Sequence, residues 1–233
     1  MSDETMSRLL DEMSSWDVPF NLSPFKVNEP LLDKRLLPWL RQVNAYVPMA
    51  SLRIFTNGTA LTDSVMDQLA ALERVTHLWI SLNSTDPVEY ERLMRLPYER
   101  TAHNLDRLHA RDDFPHPVML STVGFPNEDF RRSCYARWPN FSSMAIKRTE
   151  WLGKIEGQST TVPRSPCARW FELSIAATGT VTLCCMDGEG QFPLGNINES
   201  TMLAVYNQPH LLERREKLLD RQAVYPCSTC TYG

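Results

Sequence analysis

Through the first two thirds of the chain, strand-like segments take turns with segments of helical period, and that rotation admits few folds. Leu52-Arg53-Ile54-Phe55-Thr56 reads as a strand closed by the turn signal Asn57-Gly58. Thr62 can cap a helix carrying Val65, Met66, Leu69 and Leu72, and His77 to Leu82 reads as the next strand. Asp86-Pro87 supplies an N-cap and a first-turn proline, and helical spacing recurs at Ala102, Leu105 and Leu108. Val118 to Val123 is then a strand, Asp129 to Trp138 a helix, and Ser142 to Lys147 a last strand. Upstream, Met6, Leu9, Leu10 and Met13 share a helical face after a cap at Ser2 or Asp3. Val18 to Leu22 is a short strand, and Leu32, Leu36, Leu40 and Val43 mark a helix that Pro38 starts late or kinks. Parallel strands need long return connections, which helices supply with right-handed crossovers. The expectation is an α/β fold of about five βα units, closed or half-closed into a barrel, with ligands at the C-terminal strand ends.

With 233 residues, 42% of them hydrophobic, the chain can bury one good core and a small appended module. A formal net charge of -4 and the lack of any Lys/Arg run exclude an electrostatic footprint for nucleic acid or an anionic membrane. The acidic start Met1-Ser2-Asp3-Glu4-Thr5 is unlike a secretory leader, and no stretch approaches the roughly 18 apolar residues of a membrane span. A cytoplasmic protein is expected. There the six cysteines should remain reduced and serve metal or chemistry rather than disulfides.

Four of them are placed to bind metal. Eleven residues separate Cys167 from Gly179, four more separate Gly179 from Cys184, and the chain closes on Cys227-Ser228-Thr229-Cys230. Trp170 to Ile175 and Thr180 to Cys185 alternate about the turn Ala177-Thr178-Gly179, which predicts a β-hairpin. Helical periods follow at Met202, Leu203 and Tyr206, and at Leu211, Leu212, Arg215, Leu218 and Leu219. Four thiolates ending in Cys-x2-Cys suit an iron-sulfur cube, and they also suit structural zinc. Cys134 lies in a helical stretch and reads as a small buried hydrophobe, and the five histidines show no ligand spacing.

The hairpin, helices, closing Cys-x2-Cys and the phrase Leu194-Gly195-Asn196 resemble the SPASM/twitch domain of radical-SAM proteins. Asn28-Glu29-Pro30, Thr56-Asn57-Gly58 and Ser81-Leu82-Asn83 resemble, in order, that superfamily's Gly-Gly-Glu-Pro, Thr-Asn-Gly and Ser-Leu-Asp strand ends, with Val27 and Asn28 in place of the two glycines. The resemblance implies a partial (β/α) TIM-like half-barrel over 1–150, a linker over 151–166 and a SPASM/twitch 4Fe-4S-binding module, hairpin plus helix, over 167–233. It implies that Cys167, Cys184, Cys227 and Cys230 hold an auxiliary 4Fe-4S cluster, that Glu29 accepts a hydrogen bond from the amino group of S-adenosylmethionine, and that Ser81 contacts the same cofactor. The family's Gly-x4-Cys spacing selects Cys184 over Cys185, and Cys185 would share a strand face with Val181 and Leu183. With no cysteine after Cys230, the one-cluster twitch form is expected.

The family's catalytic Cys-x3-Cys-x2-Cys loop is not among these cysteines. The first barrel strand and this loop are therefore expected upstream of Met1, with the helix at 3–14 following them. In complete form, the resemblance implies cleavage of S-adenosylmethionine to a 5'-deoxyadenosyl radical for oxidative modification of a peptide, protein or small molecule. An electron donor such as flavodoxin or ferredoxin would serve it. The alternative is a non-catalytic iron-sulfur or zinc module that binds a partner. Lys147-Arg148-Thr149-Glu150, at the end of the last strand, reads as a solvated strand end, with a substrate or cofactor contact as the alternative.

Overall fold

The computed structural model describes residues 1–124 and 126–232. They form two compact units, one of residues 16–147 and one of residues 1–15 together with those from 148 onward.

The first unit is built on a parallel sheet in chain order, β1 (Phe20–Leu22), β2 (Ala50–Thr56), β3 (Val75–Ser81), β4 (Val118–Val123) and β5 (Ser142–Ile146). The crossovers carry α2 (Leu36–Tyr46), α3 (Asp63–Ala70), α4 (Pro87–Met94) with α5 (Tyr98–His109), and α6 (Glu128–Arg137). The expected α/β architecture is therefore observed. Strand alternation sorts the sheet into two faces. Leu52, Ile54, Leu78, Ile80 and Leu120 are buried on one, in a core completed by Leu40, Val43, Met66, Leu69, Leu105 and Leu108 of the helices. The other face carries Phe55, Trp79 and Ser81, all half-buried. Ligand space in such a sheet lies at the strand ends and on a face that helices leave uncovered.

The helix starts follow their caps. Thr62 Oγ1 accepts from the Val65 amide at 3.3 Å, Asp86 Oδ1 from Glu89 at 2.8 Å and Asn127 Oδ1 from Phe130 at 3.0 Å. A 3-10 turn at Pro30–Leu32 precedes α2, so Leu32 stands outside that helix and is 71% exposed. Pro38 falls in the first turn of α2, where a missing N–H leaves no intrahelical bond unmade, so it starts the helix without kinking it.

In the second unit, β6 (Ser174–Ile175) and β7 (Thr180–Thr182) form the expected antiparallel hairpin. Gly179 turns it at φ 85°, where a Cβ would collide with the side chains of Asn198 and Asn196. Two features differ from the sequence reading. Residues 168–171 coil into a 3-10 turn instead of extending the strand, with Trp170 turned into the core, and Pro193–Asn196 adds a third strand, β8, antiparallel to β7. Gly195 lets β8 lie close to the following helix, since a Cβ there would press on Val205 at 2.9 Å. Helices α7 (Met202–Tyr206) and α8 (Pro209–Glu216) follow.

The N-terminal helix α1 (Asp3–Ser14) belongs to this unit. Ser2 caps it, and Thr5, Leu9 and Met13 form its buried stripe. Its Glu12 carboxylate accepts the amides of Met202 at 2.7 Å and Leu203 at 2.9 Å, two donors that the start of α7 leaves without intrahelical partners. Thr5 Oγ1 donates to Asn198 Oδ1 at 2.9 Å.

Candidate iron-sulfur centre and cofactor cradle

Cys167 opens the 3-10 turn at Ala168–Phe171, Cys184 and Cys185 lie in a turn just beyond β7, and the last 3-10 turn runs from Cys227 to Thr229 with Cys230 as its cap. Cys167 and Cys227 share a buried cluster with Trp170, Leu183 and Val224, against which Phe192, Leu194, Leu219 and Tyr232 pack. Cys184 lies within electrostatic reach of Cys227 and of Cys185. Both Cys184 and Cys185 sit past the end of the strand, so the two-sided alternation expected of them does not apply.

The chemistry around the sulfurs suits thiolate ligands. Burial pushes the Cys184 thiol up to about 12, opposed by the nearby backbone amides of Met186 and Asp187. Burial, with the Glu150 carboxylate beside it, pushes Cys230 up to about 11, opposed by the Tyr232 amide and the Arg221 charge. Cys227 Sγ accepts the indole N–H of Trp170 at 3.4 Å. Without metal the Cys184 and Cys230 thiols stay protonated near neutrality, whereas a cationic iron would stabilise their thiolates. Arg169 adds an orphan donor: its buried Nε finds no partner among the described residues, and its charge is felt at Cys185. Among the described residues no three His, Cys, Asp or Glu side chains gather as they would around a single ion. The fit to a cluster therefore rests on four soft donors with N–H groups facing three of them. Cys134, in the other unit, is buried on α6, with a thiol that desolvation raises to about 12, and serves packing.

Two groups hold the closing Cys-x2-Cys in place. Glu150 Oε1 accepts the Thr231 amide at 2.7 Å, and Oε2 accepts the Thr231 hydroxyl. Arg221, 2% exposed, donates from Nη1 to the Tyr232 carbonyl at 2.5 Å. Sequence reading passed over both. Glu150 looked like a solvated strand-end acid, and a charged residue that closes a distant tail leaves no local pattern.

In the sheet unit, the Glu29 carboxylate accepts from the Thr56 hydroxyl at 2.7 Å and from the Asn57 and Leu31 amides at 2.6 and 3.3 Å. Thr56 Oγ1 in turn accepts the Gly58 amide at 3.0 Å, and the Asn104 side chain donates to the Gly58 carbonyl at 2.9 Å. Gly58 has φ 82°, and a Cβ there would press on Thr101 and Ile80 at 3.2 and 3.3 Å. The Glu-Pro and Thr-Asn-Gly phrases, separated in sequence, thus form one knot at adjacent strand ends. A carboxylate offers about four acceptor positions, so Glu29 retains capacity for one further donor. Ser81 closes β3 beside Ser121 of β4. Asn83 follows at φ 62°, with its amide on Met94 Sδ at 2.8 Å and its Oδ1 accepting from Val123. Arg92 is exposed and paired with Glu89, and Arg95 caps α4 at its C-terminal end.

An aromatic stack missed in the sequence runs across the uncovered face. Phe25 lies on Phe55 at 4.4 Å between ring centroids, and Phe55 on Trp79 at 5.4 Å. The Trp79 indole donates to Ser121 Oγ at 2.8 Å. Alternation along β2 and β3 could have placed Phe55 and Trp79 together, but Phe25 comes from the loop after β1 and no period indicates it.

The thiols thus sit among N–H donors on a small antiparallel module, in a chain that also carries a parallel βα sheet. Residues 167–231 match the family model of SPASM, the iron-sulfur cluster-binding domain, so the C-terminal region of this chain is a SPASM domain. By fold, the chain is similar to BtrN in complex with AdoMet and 2-DOIA, with a TM-score of 0.71 and 18% identity over 100% of this chain and 80% of that one. It is also similar to native anSMEcpe with bound AdoMet, with a TM-score of 0.61 and 13% identity over 94% of this chain and 74% of that one. The same protein with bound AdoMet and Cp18Cys peptide gives the same figures, 0.61 and 13%, over 94% and 74%. At these identities the likeness is one of fold. No curated protein matches the chain by sequence. Among the described residues, no helix is long and apolar enough to cross a membrane.

Proposed function

We propose that this chain is the SPASM-bearing part of a radical-SAM enzyme that oxidatively modifies a peptide, protein or small molecule. Cys167, Cys184, Cys227 and Cys230 hold an auxiliary 4Fe-4S cluster for electron transfer. Glu29 and Ser81 contact S-adenosylmethionine, and a flavodoxin or ferredoxin serves as electron donor. The observation that carries the reading is the set of N–H groups facing Cys184, Cys227 and Cys230 within the SPASM residues. Four thiolates saturate a cube, which suits it to passing electrons rather than to binding substrate. The cofactor, when bound, supplies the hydrogen-abstracting chemistry; the protein binds, orients and excludes water. The last acceptor position on Glu29 is suited to the cofactor's ammonium, and the Ser81 hydroxyl at the neighbouring strand end to a second polar contact. Structures solved with AdoMet, and in one case with a peptide as well, support a substrate of this range.

Anaerobic reconstitution with iron and sulfide should give a brown protein with about four irons and four sulfides per chain. Stoichiometric zinc without sulfide would overturn the cluster assignment. Because none of the 233 residues forms a Cys-x3-Cys-x2-Cys loop, this chain alone should release no 5'-deoxyadenosine from S-adenosylmethionine under strong reductant. A version carrying the loop on an added upstream strand should. Silence from that version as well would favour the second reading, a non-catalytic iron-sulfur module that binds a partner. That reading is favoured by one observation: Glu29 already spends three acceptor positions on the Leu31 and Asn57 amides and the Thr56 hydroxyl.

A further inference from the structure

Trp170 is 6% exposed and sits three residues after Cys167 in the 3-10 turn. Its indole N–H is a donor only, and a buried indole N–H takes a partner where it can. Here that partner is Cys227 Sγ at 3.4 Å. The guanidinium of Arg214, on α8, lies over the same indole at 5.3 Å from the ring centroid, and its charge is felt at Cys227. A cation on the ring face draws electron density from the indole, which makes its N–H a stronger donor. Hydrogen bonds to ligand sulfurs, with local charge, are among the levers that set a cluster's reduction potential. A donor on the sulfur stabilises the more negative, reduced form more than the oxidised one, so its presence moves the potential upward.

We propose that Trp170, polarised by Arg214, is a positioning residue that raises the reduction potential of the cluster held by Cys227. The inference rests on the cluster assignment made above. It concerns two side chains that the cysteine spacing does not mark, and neither is itself a ligand. The rotation of residues 168–171 out of the strand and into a 3-10 turn is what carries the indole into the cysteine pocket.

The test uses the reconstituted full chain and a potentiometric titration followed by electron paramagnetic resonance, with iron and sulfide counted in each sample. Trp170→Phe retains the ring but removes the N–H. At the wild-type midpoint, its cluster should hold about one tenth of the wild-type ratio of reduced to oxidised form, a downward shift of about 59 mV for a one-electron couple. An unchanged or raised midpoint with full iron content would overturn the inference while leaving the cluster assignment intact. If Trp170→Phe takes up no cluster, Arg214→Gln decides, since the indole stays in place. Its midpoint should also fall, and no change would overturn the inference. A wild-type chain that takes up no iron and sulfide would sink the assignment underneath, and the metal count separates that outcome from the others.

Discussion

Glu150 makes a sharp prediction because one carboxylate closes the tail that carries half the proposed ligand set. Its two oxygens accept the amide and the hydroxyl of Thr231, the residue after Cys230. Hydrogen bonds to a charged acceptor contribute roughly 1.5–3 kcal/mol each. Glu150 is only half-buried, so solvent weakens both, and about 2 kcal/mol for the pair is the better figure. Glu150→Ala should therefore raise the population of the open tail by about 30-fold. Hydrogen exchange of the Thr231 amide should quicken by that factor, and a chelator should strip iron from the variant sooner. Glu150→Gln keeps a neutral acceptor and should show a smaller effect. Acid should mimic the loss. Burial works to raise the Glu150 carboxyl, but the Thr231 hydroxyl and amide outweigh it and hold the group below its usual value of 4.5. A depressed folded pKa means the stabilisation is complete above the ordinary carboxylate range and is lost as the pH falls below 4.5 through the lower folded value. Unchanged Thr231 exchange in Glu150→Ala, or a tail that loosens only in alkali, would refute the reasoning.

Other substitutions test the remaining contacts. Alanine at Cys167, Cys184, Cys227 or Cys230 should abolish the absorbance near 400 nm of a reconstituted cluster, and Cys185→Ala should be milder than Cys184→Ala; the reverse order would show that Cys185 is the ligand. Glu29→Ala leaves the Thr56 hydroxyl and Asn57 amide without their acceptor. It should cost about 2 kcal/mol in denaturant unfolding and weaken S-adenosylmethionine binding in calorimetry, whereas unaltered binding would remove Glu29 from the site. Glu12→Ala strips two amides of α7 of their cap and should lower stability by about 1–2 kcal/mol, read as an earlier loss of helical circular dichroism in urea. An unchanged midpoint would mean that water replaces the carboxylate there.

The α/β class, the strands of the parallel sheet and most helix starts were legible because they depend on neighbours in sequence. Apolar period, caps at Thr62 and Asp86, and the turns at Asn57-Gly58 and Gly179 act within a few residues of themselves. The four-cysteine spacing was legible for a similar reason, since a hairpin and a closing Cys-x2-Cys leave a spaced trace. Three things waited for the tertiary structure. Trp170 and Phe171 open a segment that alternates like a strand, yet burying the Trp170 ring and seating its N–H on Cys227 favours a 3-10 turn there. Glu150 is an ordinary acid until residue 231 returns beside it. The first helix was readable as a helix, but its place with the C-terminal residues was not. A hydrophobic stripe says that a face is buried without saying against what; here that is decided by Glu12 reaching amides nearly two hundred residues away. Local sequence settles the elements and their ends, because those energies are summed over adjacent residues. Which element closes which site depends on partners distant in the chain, and only the folded structure brings them together.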